Sequence, residues 1–201
     1  MNNTTLIKAL AAAVLLTFGF GLTAHAAPAN KGASEMNHEQ TVSATLSARQ
    51  QAIPLIAASM ASSQMDKLNT ALNQGLDAGL TINETKEILV QLYAYTGFPR
   101  SLNALSELMK VVEARKQRGI QDLEGKEPAA PIPAGDEIRR VGTANQTKIS
   151  GAPVQGPLFD FAPVINQFLQ THLFGDIFAR DTLDWQSREL ATVGGQCANR
   201  C

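Results

Sequence analysis

One helical stripe in the middle of the chain carries polar side chains at a spacing that permits shared chemistry. Glu87, Gln91 and Tyr95 recur at i, i+4 and i+8, so the three side chains lie on one face of a helix. A buried carboxylate with an amide and a phenol beside it can hold a lactone or transfer a proton, which makes these residues candidate catalytic groups. The structural alternative is a solvated or capping Glu87 and a core Tyr95 with a satisfied hydroxyl, and the sequence leaves both open.

Two further polar residues follow the turn after this helix. Gly97 permits the turn and Pro99 begins the next helix, which places Arg100 at the corner and Asn103 one turn further on. An arginine can bind a carboxylate through two parallel hydrogen bonds, so Arg100 and Asn103 are candidate substrate-binding residues. The alternative for Arg100 is a surface arginine near a helix start.

Several function classes have no support in the sequence. After residue 26 the histidines are His38 and His172, and neither has a partner at metal-ligand spacing, so no metal site is predicted. No Ser-His-Asp pattern and no phosphate-binding loop are found. The formal net charge of −1 argues against a nucleic-acid surface, because such a surface needs a basic face to neutralise phosphates.

The N-terminus has the pattern of a secretory signal peptide. An apolar run of about 14 residues follows Lys8, and the small-x-small sequence AHA comes next at residues 24–26. The run is too short to span a bilayer core of about 30 Å. We predict that residues 1–26 are removed after Ala26, that residues 27–44 form a flexible leader, and that the mature chain is periplasmic or secreted without stable membrane insertion. An uncleaved membrane anchor is the alternative.

Four helical patterns joined by short turns follow over residues 45–118. Ser47 is an N-cap candidate for the first pattern, and Thr81 with Glu84 forms a capping box for the third. Pro54 conflicts with the first pattern, because a proline inside a helix removes a hydrogen bond. Short turns favour antiparallel helical hairpins, so we predict an all-α fold.

The composition changes after the fourth helical pattern. Residues 119–159 are rich in proline and glycine, and no helix of useful length is predicted there. Helical pattern returns over residues 160–201. We therefore predict a long connection followed by a second helical region.

The second helical region aligns with the first. When Leu183 is laid on Leu46, Asp184 takes the N-cap position of Ser47 and the apolar positions stay in register. The alignment predicts a second copy of the bundle that is truncated inside its first helix. In that helix Leu190 would have nothing in its own chain to cover it, so we expect this chain to be less stable or more aggregation-prone than one with a complete second copy.

Two stretches resemble a known family. GLTINETKEILVQLYAYTGFPRSLNAL, residues 79–105, is similar to the signature helix pair of the carboxymuconolactone decarboxylase family, and HLFGDIFARDTLDWQSRELATV, residues 172–193, resembles the lead into the second copy of its two-repeat members. The resemblance implies an alkylhydroperoxidase-D-like helical bundle, with one complete repeat and a truncated second repeat, assembled as a trimer or hexamer. It also implies lyase activity, the decarboxylation of a small cyclic acid or lactone, without a metal or organic cofactor.

The wider superfamily also contains a thiol relay with peroxiredoxin activity. Its motif is a glutamate, eleven residues, Cys-x-x-Cys, three residues and a histidine. In the first copy Gln64 and Lys67 hold the cysteine positions, which excludes the relay there. Glu189 and Cys201 match the first half of the motif and are redox candidates, while Cys197 is badly spaced for a disulfide with Cys201. Coincidental cysteines are one alternative for this end of the chain, and a binding or assembly module without catalysis is the alternative for the whole protein.

Overall fold

The computed structural model describes residues 46–129, 131 and 133–198. These residues form helices and connections without a strand, so the predicted all-α class is confirmed. The predicted signal peptide, the leader and Cys201 lie outside the described residues.

The first region of the fold is a bundle of helices joined by tight turns. Ser47 and Thr81 each make the predicted N-cap, with a reciprocal capping box to Gln50 and Glu84. Gly97 separates the last two helices at a positive φ of 86°, a conformation that glycine adopts without strain. The helices of this region are α1 Ala48–Ala61, α2 Met65–Asp77, α3 Ile82–Gln91, α4 Tyr93–Thr96 and α5 Phe98–Gln117.

The second region combines long and short helices with one π-helical segment. Asp184 caps the last helix, since its Oδ1 accepts a hydrogen bond from the Ser187 amide at 2.9 Å, as the alignment with Ser47 predicts. The elements are α6 Asp136–Ser150, α7 Pro157–Phe161, α8 Pro163–Phe168, the π-helical segment Leu169–Ile177 and α9 Trp185–Ala198.

The expectation that residues 119–159 contain no helix of useful length is wrong, because α6 is 15 residues long. Gly151, in the left-handed conformation, ends the helix after Ser150. Inside it, Gly142 lies so close to the carbonyl of Gln170 in the π-helical segment that no Cβ would fit between them. Packing against that segment therefore supports a helix whose polar, glycine-containing sequence does not predict it.

The contact between α1 and α9 joins the two regions. A Cβ on Gly194 would lie 2.6 Å from the Cα and 2.7 Å from the carbonyl oxygen of Pro54, so the two backbones touch at this point. Pro54 lies inside α1, which nevertheless continues to Ala61. The close approach depends on the absence of a side chain at Gly194.

The expectation that Leu190 is uncovered within its own chain is also wrong. Its side chain is only 8% exposed, and it belongs to one core together with residues of α1 to α5. Leu183 and Ala191 are buried in the same core. Because α9 packs on α1, the chain itself covers this face of α9.

A second, smaller apolar cluster holds α6 to the π-helical segment. It contains Ile149, Leu173, Ile177 and Phe178, with Trp185 at its edge.

Among the described residues, no helix combines the length and the hydrophobicity needed to cross a bilayer.

Candidate functional site

The polar stripe of α3 faces α9 and is buried against an arginine. Glu87 is 3% exposed and Gln91 is fully buried, and between them lies the guanidinium of Arg188, which is 0% exposed. Arg188 Nη1 donates to Gln91 Oε1 at 3.0 Å, and Nη2 donates to Glu87 Oε1 at 2.9 Å. The predicted Glu87–Gln91 pair therefore holds a buried cation.

A second arginine shares the same carboxylate. Arg180, from the connection before α9, donates through Nε to both oxygens of Glu87, at 2.9 and 3.0 Å. Its own carbonyl oxygen accepts a hydrogen bond from Arg188 Nη2 at 3.0 Å. Buried charges are stable only when they are paired and hydrogen-bonded, and Glu87 supplies the negative charge for both guanidinium groups.

A chain of hydrogen bonds continues from Gln91 to Tyr95. Gln91 Nε2 donates to the carbonyl oxygen of Arg188 at 2.8 Å and to Thr192 Oγ1 at 2.9 Å. The Thr192 hydroxyl in turn lies within hydrogen-bonding reach of the Tyr95 hydroxyl. The three predicted catalytic residues are therefore brought together, through Arg188 and Thr192 of α9.

Glu189 adds an incompletely paired carboxyl group to this cluster. Its side chain is 3% exposed, and within the described ranges its Oε2 has no hydrogen-bond partner. Burial raises the pKa of Glu189 from its usual value of 4.5 to about 7. A carboxyl group that changes its protonation near neutral pH is suited to proton transfer, because it is available in both forms.

The neighbours of Glu189 set the electrostatics of the site. Burial raises the pKa of Tyr95 above its ordinary value, opposed by the Thr192 hydrogen bond, so its hydroxyl stays protonated at neutral pH. Burial lowers the pKa of Arg188, and the charge of Glu87 opposes that shift. The guanidinium remains a cation, because arginine is not deprotonated in proteins. We define Glu87, Gln91, Tyr95, Arg180, Arg188, Glu189 and Thr192 as the α3/α9 cluster.

The two predicted substrate-binding residues take no part in the hydrogen bonds of the α3/α9 cluster. Arg100 is exposed, and it donates to Ser63 Oγ at 3.2 Å and to the Thr96 carbonyl oxygen at 3.1 Å. Asn103 is exposed on α5. Arg100 thus has the contacts of a surface arginine, and substrate binding by either residue stays a prediction.

The redox candidates divide between the described and the undescribed chain. Glu189 lies in the α3/α9 cluster, whereas Cys201 lies outside the described residues. Cys197 is exposed near the end of α9. In the part of the chain that the structure describes, no three His, Cys, Asp or Glu side chains are grouped so that they could hold a metal ion.

Sequence reasoning missed Arg180, Arg188 and Thr192. Arginine is almost never fully buried, so residue type alone is no reason to place Arg180 or Arg188 beside a core. One signal was present: Arg188 and Thr192 stand four residues apart on α9, on the same side as Ala191, which has an apolar core environment. An arginine on the apolar face of a helix requires a buried acid, and the polar stripe of α3 already made Glu87 a candidate for that acid.

Comparison with models of known protein families finds no match for this chain, and a comparison with curated proteins finds no match either. The family suggested by residues 79–105 and 172–193 is therefore a proposal.

Proposed function

We propose that the protein is an exported acid–base enzyme of the carboxymuconolactone decarboxylase type, acting on a small cyclic acid or lactone. The observation that carries the proposal is Glu189, a buried carboxyl with an unpartnered oxygen and a pKa of about 7. The resemblance of residues 79–105 supplies the substrate class. The cationic Arg180 and Arg188 suit an acidic substrate, because the cluster holds two arginines and one permanently paired carboxylate.

In the proposed reaction Glu189 acts as the proton donor. The bond between the ring carbon and its carboxylate breaks, CO₂ leaves, and the electron pair passes into the conjugated lactone carbonyl. The protonated Glu189 then delivers its proton to the ring carbon, and the carboxylate regains a proton from water. Tyr95 donates a hydrogen bond to the carbonyl oxygen, where negative charge develops.

Glu87 and Gln91 have a positioning role in this proposal. The Glu87 oxygens accept from two guanidinium groups and the Gln91 side chain bonds Arg188 at both ends, so neither side chain offers a spare polar atom to a substrate. They hold Arg188 against α3, and through it the neighbouring Glu189. Direct proton transfer by Glu87 stays a prediction that the geometry does not favour.

A thiol-dependent peroxidase is the second candidate, favoured by the same raised pKa. Glu189 occupies the glutamate position of the relay motif, and a carboxyl with a pKa of about 7 can accept the proton of a thiol. In that case the thiolate of Cys201 attacks the peroxide, the O–O bond breaks, and a sulfenic acid and an alcohol or water are formed. An external thiol then reduces the sulfenic acid, with release of water and formation of a disulfide.

One set of assays separates these functions. We measure CO₂ release from a panel of carboxylated lactones and peroxide consumption with an added thiol, using wild type, Glu189→Gln, Cys201→Ser and the exposed control Glu113→Gln. For the decarboxylase, CO₂ release follows an apparent pKa near 7 and falls about 10²- to 10⁴-fold in Glu189→Gln only. For the peroxidase, Cys201→Ser abolishes peroxide consumption.

The same assays contain the results that contradict the proposal. If Glu189→Gln released CO₂ at the same rate as wild type, Glu189 would not be the proton donor. No turnover of any lactone or peroxide, together with a rise in melting temperature on adding a lactone, would identify a binding module without catalysis.

We further propose that the chain is exported, is cleaved after Ala26, and forms a homo-oligomer, a trimer or hexamer in the family that it resembles. The signal-peptide pattern before Ala27 supports export. Mass spectrometry of the chain recovered from a periplasmic extract tests it: an N-terminus at Ala27 is expected, and an intact Met1 in the membrane fraction would contradict it.

A further inference from the structure

Helices α7 and α8 form a segment that the rest of the described chain does not bury. We call residues 157–168 the arm. Neither helix has a buried residue, and the side chain of Phe161 is 89% exposed. The main contacts of the arm are between its own two helices and with the π-helical segment. The exposed large apolar side chains of the arm are Leu158, Phe161, Val164, Ile165 and Phe168.

A second apolar surface lies on α5. Leu102, Leu105, Met109 and Val112 recur at alternating steps of three and four residues, the spacing of a helix face that packs against another helix. Leu102 and Met109 are exposed and the other two are half-buried. Beside this stripe runs a groove of about 720 Å³, lined also by Ile82. We call the stripe and its groove the α5 groove.

The two surfaces together offer enough area for an interface. The stripe from Leu102 to Val112 rises by about 15 Å along α5, and the arm is made of two short helices, which rise by about 7.5 and 9 Å and are separated by the non-helical Ala162. An exposed aromatic side chain can bury about 150–250 Å², so covering both surfaces removes on the order of 1,000 Å² from water. That area reaches the lower limit for a specific protein interface.

We propose that the arm of one copy of this chain docks into the α5 groove of a second copy. Among the described residues the arm makes no extensive contact with α5, so neither surface covers the other within one chain. Because the arm and the groove are different surfaces, the contact is head-to-tail, and its repetition gives a ring where the rotation between copies closes and an open chain where it does not. The inference specifies the contact of the oligomer proposed above, and its failure leaves the acid–base chemistry of Glu189 untouched.

The composition of the arm favours a protein partner over a membrane. Residues 157–168 contain Asp160 and no lysine or arginine. Helices that lie on anionic lipid surfaces have lysine and arginine on their polar face, because these side chains bind the phosphates. The α5 groove of a second copy is lined by apolar side chains together with Lys86, Lys110, Glu113 and Glu124, and docking there requires no lysine or arginine on the arm.

Complementation between two variants tests the docking. Phe161→Glu places a charge on the arm, Met109→Glu places one in the groove, and Leu55→Glu is the control at an exposed leucine of α1 outside both surfaces. All three side chains are exposed, so the changes remove no core packing, and circular dichroism verifies the helix content. Sedimentation velocity is measured for each variant and for an equimolar mixture of the first two.

We expect wild type and Leu55→Glu to assemble and each of the other variants to sediment as a monomer. The mixture forms a dimer, since one intact arm and one intact groove remain. A monomeric wild type, assembly of Phe161→Glu like wild type, or a monomeric mixture would overturn the proposal. The proposal would also be overturned if wild type were monomeric and cosedimented with phosphatidylglycerol vesicles while Phe161→Glu did not.

Discussion

Two buried arginines, Arg115 and Arg188, are held in different ways. Arg115 donates through Nε and Nη2 to both oxygens of Asp122, each at 2.8 Å, and through Nη2 to Asp77 at 2.8 Å. Its Nη1 donates to Asn73 Oδ1 at 3.3 Å. The pKa of Arg115 is raised because hydrogen bonds to Asp122 stabilise its charge. This guanidinium uses each of its three nitrogens to tie α5 to α2 and to the chain that follows α5.

Arg188 is buried more deeply and paired less completely. It shares the Glu87 carboxylate with Arg180, and among the described residues its Nε has no hydrogen-bond partner. The next residue, Glu189, is buried with an unpartnered Oε2. An unsatisfied buried polar group costs about 1–3 kcal/mol, so a fold does not keep two of them side by side for stability. This difference supports our proposal that Arg115 has a structural role and that the α3/α9 cluster has a chemical one.

The largest expected effect comes from removing the shared carboxylate. Glu87→Gln leaves two guanidinium groups without their buried anion, and we expect a loss of about 3–5 kcal/mol in the free energy of unfolding, measured with urea. Asp122→Asn is the matched change at Arg115, which keeps Asp77, so its loss is smaller, about 1–3 kcal/mol. Equal losses would show that the two arginines are paired equivalently.

The pH dependence of stability distinguishes the α3/α9 cluster from the Arg115 cluster. Between pH 4.5 and about 7 the folded chain keeps the proton of Glu189 while the unfolded chain releases it, so stability falls as the pH rises through this range. Glu189→Gln abolishes the fall and is more stable than wild type by about 3 kcal/mol at pH 8, but by less than about 1 kcal/mol at pH 5.

Urea unfolding at pH 5 and pH 8 measures the gain in the free energy of unfolding. Asp122→Asn is the control, for which we expect no such gain at pH 8. A gain for Glu189→Gln that is the same at pH 5 and pH 8 would mean that the carboxyl is ionised in the folded chain at both.

A change in the spacing between α1 and α9 should disturb the α3/α9 cluster and leave the hydrogen bonds of Arg115 unchanged. Gly194→Ala pushes α9 away from the Pro54 backbone, and we expect a loss of about 2 kcal/mol. Gly195→Ala is the control: its Cβ would meet only the end of the Leu92 side chain, which can rotate, and alanine favours the helix by about 1 kcal/mol. Thermal unfolding compares the two, and equal melting temperatures would contradict the close contact at Pro54.

The smallest effect is expected for the hydroxyl that links Gln91 to Tyr95. Thr192→Val keeps the side-chain shape and leaves an amide proton of Gln91 without its partner, at a cost of about 1 kcal/mol. Thr192 Oγ1 also donates to the Arg188 carbonyl oxygen, four residues earlier, at 3.0 Å. Thr171 donates in the same way to the Gln167 carbonyl oxygen at 2.8 Å from a half-buried site, so Thr171→Val is the control with little loss. A loss as large for Thr171→Val would assign the effect to the helix rather than to the cluster.

Local signals in the sequence predict the helix caps of both regions well. The caps at Ser47, Thr81 and Asp184 are confirmed, because each depends on a side chain and an amide three residues away. Helix α6 was not predicted, since it depends on the contact of Gly142 with the π-helical segment. The covering of Leu190 was not predicted either, because it depends on two backbones that meet at Pro54 and Gly194, far apart in sequence.

The candidate site was predicted in part for the same reason. The stripe of Glu87, Gln91 and Tyr95 follows from helical spacing alone. Their partner Arg188 lies 101 residues after Glu87 and is visible only once α9 is placed on the bundle. The raised pKa of Glu189 is likewise a property of burial, and burial of a glutamate is not predicted by its residue type.

The protonation of Glu189 is the most direct test of the proposed site. Carbon-13 NMR of the glutamate side-chain carboxyls, assigned by comparison with Glu189→Gln, measures its pKa in the folded chain. A titration near pH 7 is predicted for this carboxyl. A titration near the ordinary value of 4.5 would show that Glu189 is ionised at neutral pH, and would contradict its role as the proton donor.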